Sequence, residues 1–460
     1  RDNSTSTADV LTASTASGSI ISISTGGSVA DSTITSAVEA YLNSPSVFAG
    51  NITISATAVP KADLFAQGVN AGTLAVGVSK ATATVSPDVD AWAGGNIWAG
   101  SLSINATLQK PSSGNSAIAE ASGSVGGLIG IDATVTVASN TGDVSSYVAN
   151  NSDLHIGTTS LSAINSTSQV ANSSSDAYGL IAVGTTKAKA ESDTKTKAYL
   201  GTGVTLTGGS LSIAATGDDK NYAETTAGAG GLGAGASARP ETYTTASVQA
   251  VIGESANIVL SGTGGLTMAA AHTARPNTLV NTDSYGLIAG SGAEADNIIV
   301  SDVLTQIGSQ AHVTAQNIRL DAKNTLDKPA LSGTNIDGST GGLASGASVE
   351  SDTTVDFSTI VEFDEGSVTS VVNPDGEFIV RAFNEIKATD EVSLFTAGAI
   401  SGAGAYVSLE TIQNLAQILI DKDATVTSKG DIEMEAQGAT DVFLHSLSET
   451  YGAATVAVGD

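Results

Sequence analysis

An all-β solenoid, a chain wound into stacked coils of parallel strand, is the fold class this sequence predicts. Three observations lead there. A six-residue strand pattern recurs along the 460 residues, a glycine recurs at nearly constant spacing, and the apolar supply is mainly Ala, Val, Ile and Leu, with only 4% aromatic. A core built from such side chains is narrow, and the Gly, Ser, Thr and Asp between the apolar stretches suit many strands joined by tight turns better than long helices.

The strand pattern reads polar, apolar, polar, apolar, polar, small. It begins at Asn51 (NITISA), Ser101 (SLSINA), Ser210 (SLSIAA), Gly265 (GLTMAA), Asn317 (NIRLDA), Glu377 (EFIVRA) and Asp431 (DIEMEA), with a degenerate copy at Ser160 (SLSAIN). Alternation with period two marks a half-buried strand with the second and fourth residues inward, for example Leu211 and Ile213, or Ile318 and Leu320. Seven of the eight copies close on Ala, the degenerate one on Asn165, as a corner of fixed shape would require.

The glycine landmark is Gly18, Gly72, Gly127, Gly179, Gly231, Gly286, Gly342, Gly398 and Gly452, at spacings of 52 to 56 residues. Glycine at such a place permits a positive φ or a close backbone approach. A third landmark follows it: Val38-Glu-Ala-Tyr-Leu42, Val89-Asp-Ala-Trp-Ala93, Thr196-Lys-Ala-Tyr-Leu200, Val248-Gln-Ala-Val-Ile252 and Val303-Leu-Thr-Gln-Ile307, each running into a turn that bears Gly or Asn. A repeat of about 54 residues therefore holds three or more short strands. Because a β-solenoid coil usually takes roughly 18 to 30 residues, the expectation is two coils per repeat, with three tighter ones as the alternative. Two per repeat would make about 17 coils and a rod roughly 80 Å long. The main alternative is a propeller or a string of β-sandwiches, but a sandwich of about 54 residues is too small to close its own core. No Pro-rich linker or charge block divides residues 1–460, which read as a single repeat domain with no separate catalytic domain.

Charge and composition narrow the function. With 46 acidic against 18 basic residues the net charge is −28, which argues against nucleic acid as a partner and against binding an anionic membrane through a basic surface. The absence of cysteine excludes disulfides, thiolate metal sites and cysteine nucleophiles. No run of about 18 apolar residues is present to span a membrane as a helix. The start at Arg1-Asp2-Asn3 reads as processed, excised or internal to a longer chain.

No residue set reads as a catalytic, cofactor or metal site. His155, His272, His312 and His445 fall at unrelated phases of the repeat, so they are expected to stand apart rather than form a metal cluster or triad. Among carboxylates, Asp88 with Asp90, the group Asp356, Glu362, Asp364 and Glu365, and Glu433 with Glu435 are the places to examine, because enzymes that cleave polysaccharides on β-helices use Asp or Glu on one face. The equivalents of Glu433 and Glu435 in other copies are Thr53 and Ser55, or Ser103 and Asn105, which marks these as outward positions; solvated faces are the leading reading of the carboxylates, with weak Ca²⁺ binding as a secondary one. Gly126-Gly-Leu-Ile-Gly-Ile-Asp132 misses the register of calcium-binding repeats. The pairs Thr53/Ser55, Thr82/Thr84, Thr134/Thr136 and Thr205/Thr207 lie at different phases and make no flat ice-binding array. Asn3, Asn51, Asn105, Asn150, Asn165 and Asn172 begin glycosylation sequons, which matter only in a glycosylating host.

The sequence Gly230-Gly-Leu-Gly-Ala-Gly235, then Val248-Gln-Ala-Val-Ile-Gly253, then Gly264-Gly-Leu-Thr-Met-Ala269 resembles the long repeat tracts of giant bacterial surface proteins, the filamentous-haemagglutinin-like and leukotoxin-type filamentous adhesins. The likeness extends over essentially the whole chain. It implies secretion, a right-handed β-helix shaft, an extracellular or cell-surface location in a bacterium, and a role in adhesion or fibre building with host-surface or matrix glycans as partners. It supplies no catalytic residue. The leading expectation is thus a non-enzymatic shaft or fibre subunit that continues end to end with itself or with flanking repeats, and a polysaccharide-binding or polysaccharide-cleaving β-helix is the alternative.

Overall fold

The computed structural model describes residues 2–16, 22–112 and 114–459; the Gly18 landmark lies outside them. Nineteen strand segments, from Thr5–Thr15 to Ala454–Gly459, form one continuous sheet in which each strand-to-strand ladder is parallel, with no helix among the described residues.

The pairing register corrects the expected coil size. Val38 pairs with Val89, Val89 with Val144, Val144 with Thr196, Thr196 with Val248, Val248 with Val303, and Val303 with Thr359. The neighbour above any residue is therefore one whole repeat away. One repeat is one wide coil, not two. The reason lies in the turns. The positive-φ residues Gly95, Asn151, Gly203, Ser255, Gln310, Gly366 and Asp423 all occupy the same corner of successive coils, so the chain makes this tight turn once per repeat.

The sides of a coil are clearest near the carboxyl end. Glu377–Ala397 and Ile400–Ile420 are broad sides of 21 residues each, and Thr425–Ser428 is a short side of 4. At about 3.3 Å per residue a broad side runs roughly 70 Å, whereas eight coils stacked at about 4.8 Å rise only about 40 Å. This segment is a flattened coil stack, wider than it is tall, in place of the expected narrow rod. The broad sides face each other closely, since Thr305 Oγ1 donates to the Asp321 carbonyl at 2.7 Å and Asn324 Nδ2 to the Ser301 carbonyl at 3.0 Å.

Side-chain size follows this shape. Where the two broad sides and the short side meet, there is room for Leu, Ile and Phe, and the largest core cluster fills it with Ile104, Leu161, Ile213, Met268, Leu320, Phe363 and Phe378. Towards the opposite edge only two sides converge, and Ala182, Ala229, Ala236, Ala295 and Ala403 carry much of the packing. The six-residue strand has its predicted phase: Leu102 and Ile104, Leu211 and Ile213, Leu266 and Met268, Ile318 and Leu320, and Phe378 and Val380 are all buried.

The degenerate copy needs re-registration. Leu161 pairs with Ile104 and Ala163 with Ala106, so Thr159 holds the second position and Ala163 the closing one. All eight copies then close on Ala, and Asn165 lies two residues further along the inward face.

The landmark glycines from Gly72 to Gly452 form the thin edge, or apex, where one broad side turns into the other. A Cβ on Gly127 would lie 2.1 Å from the carbonyl oxygen of Gly72; Gly179, Gly231, Gly286, Gly342, Gly398 and Gly452 would each meet the preceding glycine's carbonyl at 1.9 to 2.5 Å. Close approach between coils, rather than a positive φ, is what requires glycine here.

Candidate functional site

The residues singled out in the sequence are dispersed over this frame. His155 stacks outward on Trp98 at 5.4 Å and lies 3.4 Å from Asp153. His312 begins the short side His312–Ala315, and His445 lies on the last coil, 6.4 Å from Phe443. His272 alone is buried. Its Nε2 lies 3.2 Å from Asp219 Oδ2 and its Nδ1 2.8 Å from Ser301 Oγ. Asp, His and Ser in this order resemble a nucleophilic triad, but the side chains of His272 and Asp219 are at most 1% exposed, and the Ser301 hydroxyl donates to Asn324 Oδ1 at 2.6 Å. A substrate has no access, and the serine's proton is already committed.

These residues belong to a longer interior structure. Asn140 Nδ2 donates to Thr167, Thr167 to Asp219, Asp219 meets His272, His272 meets Ser301, Ser301 donates to Asn324, Asn324 to Thr359, Thr359 to Asn384 and Asn384 to Asn414. An unbroken polar spine thus climbs the inside of the stack. Nearer the apex, Lys328 forms a fully buried ion pair with Asp390, which also accepts from Ser351 Oγ. Burial holds the Lys328 ammonium below its ordinary value, opposed by the Asp390 charge. Asp132, expected outside any calcium motif, is also buried; its Oδ2 has no hydrogen-bond partner, and burial pushes its carboxyl up to about 6.

The outward carboxylates fall into small groups. Glu362 and Asp364 come together with Asp421 of the next coil, their oxygens within 4.8 Å of one another, while Asp356 and Glu365 stand apart from them. Burial raises Glu362, and the charges of Asp364 and Asp421 add to this. Gln306 Nε2 donates to Glu362 Oε2 and Asp364 Oδ2, both at 3.0 Å. Three carboxylates supply part of the six to eight oxygens that Ca²⁺ takes. Asp421 was legible in principle, because it lies one repeat beyond Asp364. Glu433 and Glu435 are outward as expected and are bridged by Arg381, at 2.6 and 3.6 Å. Arg381, Arg319, Lys323 and Phe383 line an outward groove of about 340 Å³, in which Arg319 and Lys323 are also paired, with Asp321 and Glu385.

Asp88 and Asp90 flank an aromatic ladder that the sequence reading did not assemble. Tyr41, Trp92, Tyr147 and Tyr199 stack at 4.9, 5.8 and 4.9 Å, with ring planes within 8°. Across the positive-φ corner, Phe48, Trp98 and His155 stack at 4.7 and 5.4 Å. Trp92 Nε1 donates to Glu39. Burial raises Asp90, with Asp88 adding to it, and burial beside Tyr199 pushes Tyr147 up to about 12. The rings spend their faces on each other, so this ladder stiffens the corner by roughly 0.5–1.5 kcal/mol per pair. The signal was present, since Tyr41, Trp92 and Tyr199 share one place in the third landmark.

Two further sequence features resolve by burial. Thr134 and Thr136 point inward, which removes that pair from any surface array. Asn165 is buried and donates to the Gly142 carbonyl at 3.1 Å, so it presents no amide for glycosylation. The chain matches no family model, no curated protein and no solved structure. No helix of the described residues is long and apolar enough to cross a membrane.

Proposed function

We propose that the chain is a structural segment of an extracellular bacterial fibre or adhesin shaft, continued end to end by further coils of its own kind. One observation carries this reading. The glycine apex, the positive-φ corner, the alanine of the six-residue strand and the polar spine each run from coil to coil in register, and their shared product is a regular stack. The end-to-end part rests on the same register: each coil offers the next a parallel edge with its inward positions at the same places, so a coil of the same kind fits on any other.

Negative-stain electron microscopy at rising concentration tests the contact between copies, with axial stacks expected; single stacks of eight coils at every concentration would overturn it. Incubation with acidic and neutral polysaccharides tests the structural role, and release of reducing ends or unsaturated products would overturn that.

A further inference from the structure

The residue after each apex glycine points outward, and in five consecutive coils it is leucine: Leu128, Leu180, Leu232, Leu287 and Leu343, between 48 and 60% exposed. Tyr178 and Tyr285 stand exposed just before the glycine in alternate coils, and each ring lies against a glycine of the following coil, Gly230 or Gly341. Ile181, Ile288 and Ile400 continue the same strip. Its lack of charge is as informative as its apolar content. Ten-residue windows opening two residues before each of the eight glycines from Gly72 to Gly452 contain one charged residue, the buried Asp132. At the chain's 14% charged content, eighty residues would carry about eleven.

We infer that this ridge is a lateral contact through which a second copy of the chain docks, apex to apex. Three features favour a second copy. The five leucines repeat at the coil spacing of about 4.8 Å, so two ridges shifted by a whole number of coils still set leucine against leucine wherever those coils overlap. Both partners carry a net charge of −28, and the apex is where two such chains approach without placing like charges opposite one another. The absence of Lys and Arg from the windows leaves nothing to draw the ridge to an anionic membrane. A strip about 12 Å wide over seven coils covers on the order of 400 Å² per copy, at the low end for protein pairs, and it grows with every coil added to the stack. The contact is therefore weak for one segment and cumulative along a fibre. It stands on the surface alone and does not depend on the end-to-end reading.

The chain has no cysteine, so a single introduced thiol reports the contact. Leu232→Cys is expected to oxidise to a covalent dimer several-fold faster than Ser212→Cys, placed outward on a broad side, and faster in 1 M than in 0.1 M NaCl, because salt screens the repulsion between the two acidic bodies. Sedimentation velocity of the unmodified chain is expected to show a mass rising above 45.4 kDa with concentration and salt. Leu180→Lys with Leu232→Lys and Leu287→Lys should remove the lateral part of that rise, leaving only the mass that axial stacks account for by electron microscopy and the thermal midpoint unchanged. Equal oxidation rates for the two cysteine variants would overturn the inference, as would a mass fixed at 45.4 kDa in high salt. Flotation with neutral phosphatidylcholine vesicles, lost in the triple-lysine variant and unaccompanied by dimer, would overturn it in favour of a lipid surface.

Discussion

Gly231→Ala is expected to destabilise the stack, although the backbone at this residue is one that alanine adopts freely. The added Cβ would lie 2.1 Å from the Gly179 carbonyl oxygen and 3.2 Å from that of Leu180. Both carbonyls belong to the coil below, held in the parallel ladder, so relief requires a shift of about 1 Å in a spacing of about 4.8 Å. Opening the ladder there weakens one or two hydrogen bonds worth about 1 kcal/mol each, and overpacking a rigid site costs about 1–3 kcal/mol. Against this stands a gain of about 0.4–1 kcal/mol, because alanine restricts the unfolded chain more than glycine does. The net expectation is a loss of about 2–3 kcal/mol.

Gly233 and Gly235, on the same strand, are the internal control. No atom lies within 4 Å of a Cβ built on either, so Gly233→Ala and Gly235→Ala keep only the unfolded-state term and should stabilise by about 0.4–1 kcal/mol. Urea unfolding followed by far-UV circular dichroism reads the difference as midpoints moving in opposite directions. A stacked array can unfold in parts, so the shape of each transition is compared along with its midpoint. A Gly231→Ala midpoint at or above that of the unmodified chain would refute the close-approach reading of the apex.

Three further outcomes are expected. Asp132, raised from 3.8 to about 6 by burial, favours the folded state when protonated; its contribution is full below about pH 3.8 and lost as pH rises through about 6. Asp132→Asn should therefore stabilise on the order of 2–3 kcal/mol at pH 7 and change little at pH 3.5, and equal shifts at both pH values in urea titrations would contradict this. Asp390→Ala leaves the Lys328 ammonium buried without its partner and should cost about 3–5 kcal/mol, most of it recovered when Lys328→Met and Asp390→Leu are combined; a double variant as unstable as the single would contradict it. Ile213→Asp or Leu320→Asp should cost several kcal/mol while Ser212→Asp is nearly neutral, and equal thermal shifts would show that the strand phase is misread.

What could be read in advance depended on whether the information was local. Strand phase is local, and period-two alternation placed Leu211, Ile213, Leu266, Ile318 and Leu320 inward without reference to any neighbour. Glycine spacing gave the repeat length. Coil width is not local, because alternation continues unchanged along a broad side of 21 residues and says nothing about where the chain bends. The corner residues could have settled it, but Ser255, Gln310 and Asp423 do the work of Gly203 and Gly366 with ordinary side chains, which concealed that the turn occurs once per repeat. The polar spine stayed hidden for a related reason. Asn324, Asn384 and His272 lie two residues past a closing alanine, so parity put them inside, but their polarity read as surface.

The spine also answers a problem that apolar ladders leave open. A slip of one residue between coils would turn every inward side chain outward, so burial alone forbids it. A slip of two residues preserves parity, and ladders of Ala, Val, Ile and Leu would accept it at modest cost. The degenerate strand at Ser160 shows how real this ambiguity is, since its pattern can be read two residues out of place without breaking the alternation. In the structure Ala163 lies on Ala106, and Asn165 reaches the Gly142 carbonyl. Shifting that strand by two would remove Asn165 from its acceptor and put a polar group among aliphatic neighbours, at about 1–3 kcal/mol for each buried group left unpaired. The same penalty applies at Asp219, His272, Asn324 and Asn384. The hydrogen-bonded interior therefore discriminates between registers that the apolar core cannot distinguish, which is how a chain of near-identical coils can stack in one way.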